Sequence, residues 1–227
     1  MRTFMALVVV TLMAASTASA QDRRVHFTIG GGVTTPVSDV SDRFGTGGNF
    51  QVGVVFDVND VFAVQGEYAF NRLGGEDRVL QGIATPASAA TPILIESHHN
   101  MQYLSFNSIF RPAGDSALKP YGIGGFGFYY REVSLTTPDV GFTTVCDPWW
   151  YVCFPAAVPV DQIIGERSTW DPGISLGGGV SFRIGESSEF YVETRWHYMW
   201  GPEFTDLDGN TQKANGQYFP VTFGFRF

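Results

Sequence analysis

The chain has 227 residues, of which 44% are hydrophobic, 15% aromatic and only 16% charged. A net charge of −8, with lysine at Lys119 and Lys213 alone, argues against nucleic-acid binding, which calls for a basic patch or stripe. The apolar content is too high for a disordered chain, and the length suits a single barrel-sized domain.

Residues 1–20 read as a secretory signal. Arg2 is the positive start, Met5 to Met13 a short apolar core, and Ala18-Ser19-Ala20 a small-residue cleavage site before Gln21. The core falls short of the ~20 apolar residues a spanning helix needs. Residues 21–227 then form one exported domain, and losing Arg2 takes its charge from −8 to −9.

Beyond residue 24 hydrophobicity alternates with period two, the signature of strands. Segments near 24–34, 48–58 and 61–72 come first. In the third of these, Phe62, Val64, Tyr68 and Phe70 oppose Gln65, Glu67 and Asn71. Segments 100–111 and 119–133 follow; the Gly124-Gly125 pair in the latter marks a candidate bulge. In the sixth, Ile174, Leu176, Val180, Phe182 and Ile184 oppose Ser175, Gly177, Gly179, Ser181 and Arg183. The seventh sets Phe190, Val192, Thr194, Trp196, Tyr198 and Trp200 against Tyr191, Glu193, Arg195, His197 and Met199. The last sets Phe219, Val221, Phe223, Phe225 and Phe227 against Tyr218, Pro220, Thr222, Gly224 and Arg226.

Connections alternate in length. Asn59-Asp60, 113–118 and 185–188 are short; 35–47, 73–99, 134–169 and 201–216 are long. Segment 79–96 has the makings of a hairpin extension, or of a further strand pair that would raise the count to ten. The expected fold is therefore all-β: an eight-stranded antiparallel up-and-down transmembrane β-barrel with short periplasmic turns and long extracellular loops. Its strands, of about 10–12 residues, match the ~9–11 that a tilted membrane strand requires. Tyr68, Phe70, Tyr129, Tyr130, Trp196, Tyr198 and Trp200 gather near segment ends, as the aromatic girdles of such barrels do. A soluble lipocalin-like carrier is the rival, but it would line its interior with the apolar face. Cys146 and Cys153, the two cysteines, are expected to close a disulfide in the oxidising compartment and to brace the 134–169 loop.

The terminal run Val221-Thr-Phe-Gly-Phe-Arg-Phe227 resembles the C-terminal signature of outer-membrane β-barrel proteins. That resemblance implies that Phe223, Phe225 and Phe227 are read by the barrel assembly machinery. With the signal, the eight strands and the loop asymmetry, the chain resembles the OmpA/OmpX-type small barrels over nearly all of 24–227. Nothing follows Phe227, so a periplasmic peptidoglycan-binding domain is not expected. The implied address is the outer membrane, among its lipid and lipopolysaccharide.

An inward polar face places Glu67, Arg183, Glu193, Arg195 and Arg226 in the lumen, with Asp57 and Arg111 near the turn end. Such charges should form salt-bridged clusters, either as a packed plug or as the gate of a narrow channel for small solutes. Inward Gly53, Gly177 and Gly179 would leave voids. Some eight-stranded barrels modify lipid A, and the deacylase family sets a His and a Ser two residues apart on one strand face. Arg195-Trp-His197-Tyr-Met199 resembles that strand superficially, with Met199 where the nucleophile would stand. His98 and His99 point to opposite faces of a strand and read as aqueous rim. No catalytic residue, cofactor or metal is expected. The reading is a structural or surface-interaction role, with the surface ligand left unnamed.

Overall fold

The computed structural model describes residues 24–75, 78–81, 92–114, 116–147, 152–184, 188–205 and 211–227; the expected signal, 1–20, lies outside them. Eight strands carry the fold: β1 (Val25–Pro36), β2 (Gly47–Asp57), β3 (Phe62–Gly74), β4 (Pro92–Phe110), β5 (Leu118–Asp147), β6 (Val152–Ile184), β7 (Ser188–Met199) and β8 (Gly216–Arg226). Each pairs antiparallel with its sequence neighbour, and β1 pairs with β8, so the sheet closes on itself. Closure satisfies every strand edge within the barrel, which is what a sheet in hydrocarbon requires.

Alternation sets the two faces. Along β7 the side chains of Tyr191, Glu193, Arg195, His197 and Met199 are buried while their neighbours are partly exposed. Along β8, Tyr218, Pro220, Thr222, Gly224 and Arg226 turn inward, and Phe219, Phe223, Phe225 and Phe227 stand on the outside. The outer face is an apolar belt that includes Val54, Phe56, Leu104, Phe106, Phe126, Phe128, Leu176 and Phe182.

Three sequence expectations need correction, and the choice between a hairpin extension and a further strand pair at 79–96 is decided for the hairpin. Pairing runs through Gly124 and Gly125 without a bulge; the register shift lies between Leu135 and Thr136. Gly125 is required by close approach instead, since a Cβ there would collide with the Phe106 carbonyl and Asn107. The 134–169 segment is not a loop: β5 and β6 continue as a paired ribbon to Asp147↔Val152. Thr136, Thr137, Val140, Thr143, Thr144 and Val145 favour strand, whereas Pro138, Pro155 and Pro159 mimic loop punctuation; a two-stranded ribbon offers free edges on which proline is tolerated. Arg78–Gln81 pairs with Pro92–Ile95 as a hairpin extension and leaves the barrel at eight strands. Finally, Tyr129 is no girdle residue. It is fully buried in the lumen, and its neighbour Tyr130 faces out against Trp170 at 5.2 Å between ring centres.

Inward glycines are sockets rather than voids. A Cβ on Gly179 would stand 2.7 Å from the Tyr121 hydroxyl, one on Gly173 2.7 Å from the Tyr129 ring, and one on Gly177 2.9 Å from Arg195 Cγ. Large side chains on one strand therefore occupy the space that small ones on another leave free. Gly179→Val should lower the urea midpoint of the refolded protein by the equivalent of roughly 1–3 kcal/mol, the usual cost of overpacking. Gly66→Ala, whose Cβ meets nothing within 4 Å, should leave the midpoint unchanged.

Candidate functional site

Arg195 on β7 holds two carboxylates across the lumen. Its Nη1 and Nη2 donate to Glu67 Oε1 and Oε2 of β3 at 2.9 and 2.6 Å, and its Nε donates to Glu193 Oε1 at 2.5 Å. The Tyr121 hydroxyl of β5 donates to the remaining Glu193 oxygen at 2.8 Å. The fork against Glu67 is the bidentate geometry that makes arginine–carboxylate pairs strong. Side-chain exposure is 2% for Arg195 and 0% for Glu67, so each charge depends on the others for what water would have supplied. Two carboxylates share one guanidinium, and the partners are therefore not interchangeable. Arg195→Met should cost roughly 3–5 kcal/mol in urea unfolding, because it strands two buried carboxylates. Glu193→Gln keeps the shape and leaves one carboxylate per guanidinium; its midpoint should stay within about 1 kcal/mol of the parent.

The other expected lumen charges lie elsewhere. Arg226 does not join the trio; it bonds Glu189 at 3.2 Å, with its guanidinium over the Tyr121 and Tyr191 rings at 5.7 and 5.8 Å. Arg183 keeps the inward parity of Ser181 but stands at the exposed end of β6, where it has no ion pair among the described residues. At the same turn end, Asp57 takes Arg111 and His26 at 3.0 Å each. Amides and hydroxyls fill the intervening layers: Gln51 to Tyr191 at 3.2 Å, Asn107 to Ser105 at 3.1 Å, and Thr34 to Asn71 at 2.6 Å. His197 Nδ1 meets the Tyr129 hydroxyl at 2.8 Å. Met199, next along that face, is fully buried in an apolar cluster with Leu73, Met101, Tyr103, Tyr129 and Tyr218.

Above that cluster, at the loop end, opens a cavity of about 1020 Å³. His99, Tyr218 and Arg131 form its floor. His99 is buried rather than at an aqueous rim, with the Tyr218 hydroxyl at 3.3 Å and the Phe44 ring 4.7 Å away. Arg131 donates from Nε to Asp171 at 2.6 Å and from Nη2 to the Ala214 carbonyl at 2.7 Å. Thr169 steadies the other Asp171 oxygen at 2.9 Å. In the sequence this floor is marked only by parity, since Tyr129 and Arg131 share that of Tyr121 and Ile123. Among the described residues no three His, Cys, Asp or Glu side chains converge as metal ligands.

His99 lies at the loop end, beyond the segment that crosses the membrane. Burial, with the Arg131 charge adding to it, pushes its imidazole down to about 4 from the ordinary 6.5. The unfolded chain thus takes up this proton first, and the stability His99 carries is complete above pH 6.5 and lost as pH falls toward 4. The wild-type urea midpoint should drop between pH 7 and pH 4 by about 2–3 kcal/mol more than that of His99→Gln.

The family described as "Outer membrane protein beta-barrel domain" matches residues 5–227. No curated protein matches. Among solved structures, a major outer membrane protein from Thermus thermophilus is similar with a TM-score of 0.50 at 11% identity, over 89% of this chain and 98% of that one. Neisserial surface protein A gives 0.48 at 13% identity over 89% and 95%. The attachment invasion locus protein Ail of Yersinia pestis gives 0.43 at 14% over 89% and 97%.

Proposed function

The chain belongs to the outer membrane protein β-barrel domain family, and from that premise we propose that it is a plugged scaffold which presents a ribbon and a cavity at the cell surface. The observation that carries this reading is the filled lumen: Arg195 bridges from β7 to Glu67 on β3, Tyr129 meets His197, and these four are buried together with Tyr191 and Tyr218. A narrow channel for small solutes would need that packing to part. The role in this reading is non-enzymatic: on the strand bearing His197, Met199 stands where the deacylase pattern sets its serine. Orientation follows from the connections, with the Asn59–Val61 and 113–117 turns in the periplasm and the ribbon and cavity outside. The belt faces lipid, and its outer edge, where the rings of Trp196, Tyr198 and Trp200 follow one another at 5.7 and 5.5 Å between centres, meets lipopolysaccharide. Phe223, Phe225 and Phe227 line the outer face of the seam strand, open to the barrel assembly machinery.

A planar-bilayer recording of the refolded protein, with a heat-shifted gel band certifying folding, should be silent. Reproducible openings that Arg195→Met retunes would overturn the plug in favour of a channel. On intact cells, an impermeant maleimide should label Lys213→Cys and miss Ser116→Cys; the reverse pattern would invert the orientation.

The disulfide belongs to the same proposal. Cys146 and Cys153 are partners in the strand register near the ribbon tip, and among the described residues no cysteine is free. A lone two-stranded ribbon is marginal in water, so a cross-link there has something to stabilise. Alkylation without reductant should add no mass, and reduction should add two adducts and speed proteolysis within 134–169.

A further inference from the structure

We propose that the loop-end cavity binds a small anion with an apolar body, of which an aryl carboxylate is the simplest kind. The inference rests on the outward placement of the loop end argued above and adds the chemistry of what is held there. At about 1020 Å³ the cavity lies at the upper end of the ~300–1,000 Å³ typical of small-molecule sites. One wall is apolar, made by Val40, Phe44, Val133 and Leu135. Four cations stand around it, Arg43, Arg131, Arg167 and Lys213; Arg131 is paired with Asp171 and Lys213 with Glu203, which leaves Arg43 and Arg167 as the two without an ion pair among the described residues, at a rim that also carries Asp42 and Glu166.

The cations differ in kind. Arg131 is built in. Asp171 and the Ala214 carbonyl fix its guanidinium, and Gly201 and Gly216 leave the space it fills, since a Cβ on either would stand 2.7 or 2.9 Å from its terminal nitrogens. A cation already immobilised loses little freedom when a ligand arrives, which is the benefit of preorganisation. Arg43 and Arg167 are exposed, and neither has an ion pair among the described residues. They suit capture of an anion at the rim. Between them and the apolar wall, a ligand with a charged head and an uncharged body finds a partner for each half. A purely ionic ligand would leave the wall unused, and a neutral one would leave the cations unused.

The probe is a trifluoromethyl-labelled biphenyl carboxylate followed by fluorine NMR, with the full chain in zwitterionic nanodiscs and empty discs as the blank. Saturable binding to the loaded discs is expected, with none for the corresponding neutral amide. Two variants separate charge from shape. Arg43→Gln with Arg167→Gln should weaken binding roughly tenfold, the scale of two solvent-exposed ion pairs. Gly165→Phe should abolish it without changing any charge, because a Cβ at Gly165 meets only Leu135 at 3.8 Å and a larger side chain there grows into the cavity. Both variants must show the heat-shifted band of the folded barrel. Equal binding of acid and amide, indifference to both variants, or no saturable binding overturns the proposal. None of these outcomes bears on the plugged-scaffold reading, which is decided by conductance and labelling.

Discussion

An eight-stranded barrel encloses only enough space for its own side chains, and every inward group must find its partner among other inward groups. Arg195 meets that constraint by spanning from β7 to Glu67 on β3 while taking Glu193 from its own strand. Once this bridge is in place, neighbouring positions have little choice. Gly177 must be small beside Arg195, Tyr121 must reach Glu193, and Gly179 must make room for Tyr121. Polar and apolar groups interleave for the same reason: the tyrosine rings of the apolar clusters pack with aliphatic side chains while their hydroxyls bond neighbouring polar groups.

The seal gives the molecule two unlike ends. The turn end is tied by Asp57 to Arg111 and His26, and by Glu189 to Arg226, in compact pairs near short connections. The loop end is open, and its most extended feature is the continuation of β5 and β6 beyond the barrel. The two ends are therefore held by different means: compact ion pairs at the turn end, and at the loop end the buried His99 and the Arg131–Asp171 pair beneath an open cavity.

Periodicity made most of the barrel legible. Strand count, closure pattern and the facing of β3, β6, β7 and β8 follow from period-two alternation, because one face meets lipid and the other does not. Glu67, Glu193 and Arg195 could be assigned to the lumen on the same ground, but parity cannot say which inward charges are level with one another. That depends on register around the whole barrel, and it is why Arg183 and Arg226 end in different surroundings from the trio. The ribbon was hidden by prolines and glycines that a free-edged strand pair tolerates. Tyr129 was hidden by its neighbour, since two adjacent tyrosines at a segment end look alike although one faces in and one out. The cavity floor joins residues of β4, β5, β6 and β8 with a backbone carbonyl, and no local pattern announces such a meeting.

The seam between β1 and β8 bears on the order of assembly. Phe227 donates to the Phe27 carbonyl at 3.0 Å and accepts from the Phe27 amide at 2.8 Å, so the stitch joins residues from opposite ends of the barrel sequence. Until β8 has been synthesised, β1 keeps an open edge with unpaired amides and carbonyls, the kind of edge that recruits stray strands. Seven strands in hand do not amount to most of a barrel; they are a sheet with two sticky margins. Closure is thus a late event, because the partner of the first strand is the last one.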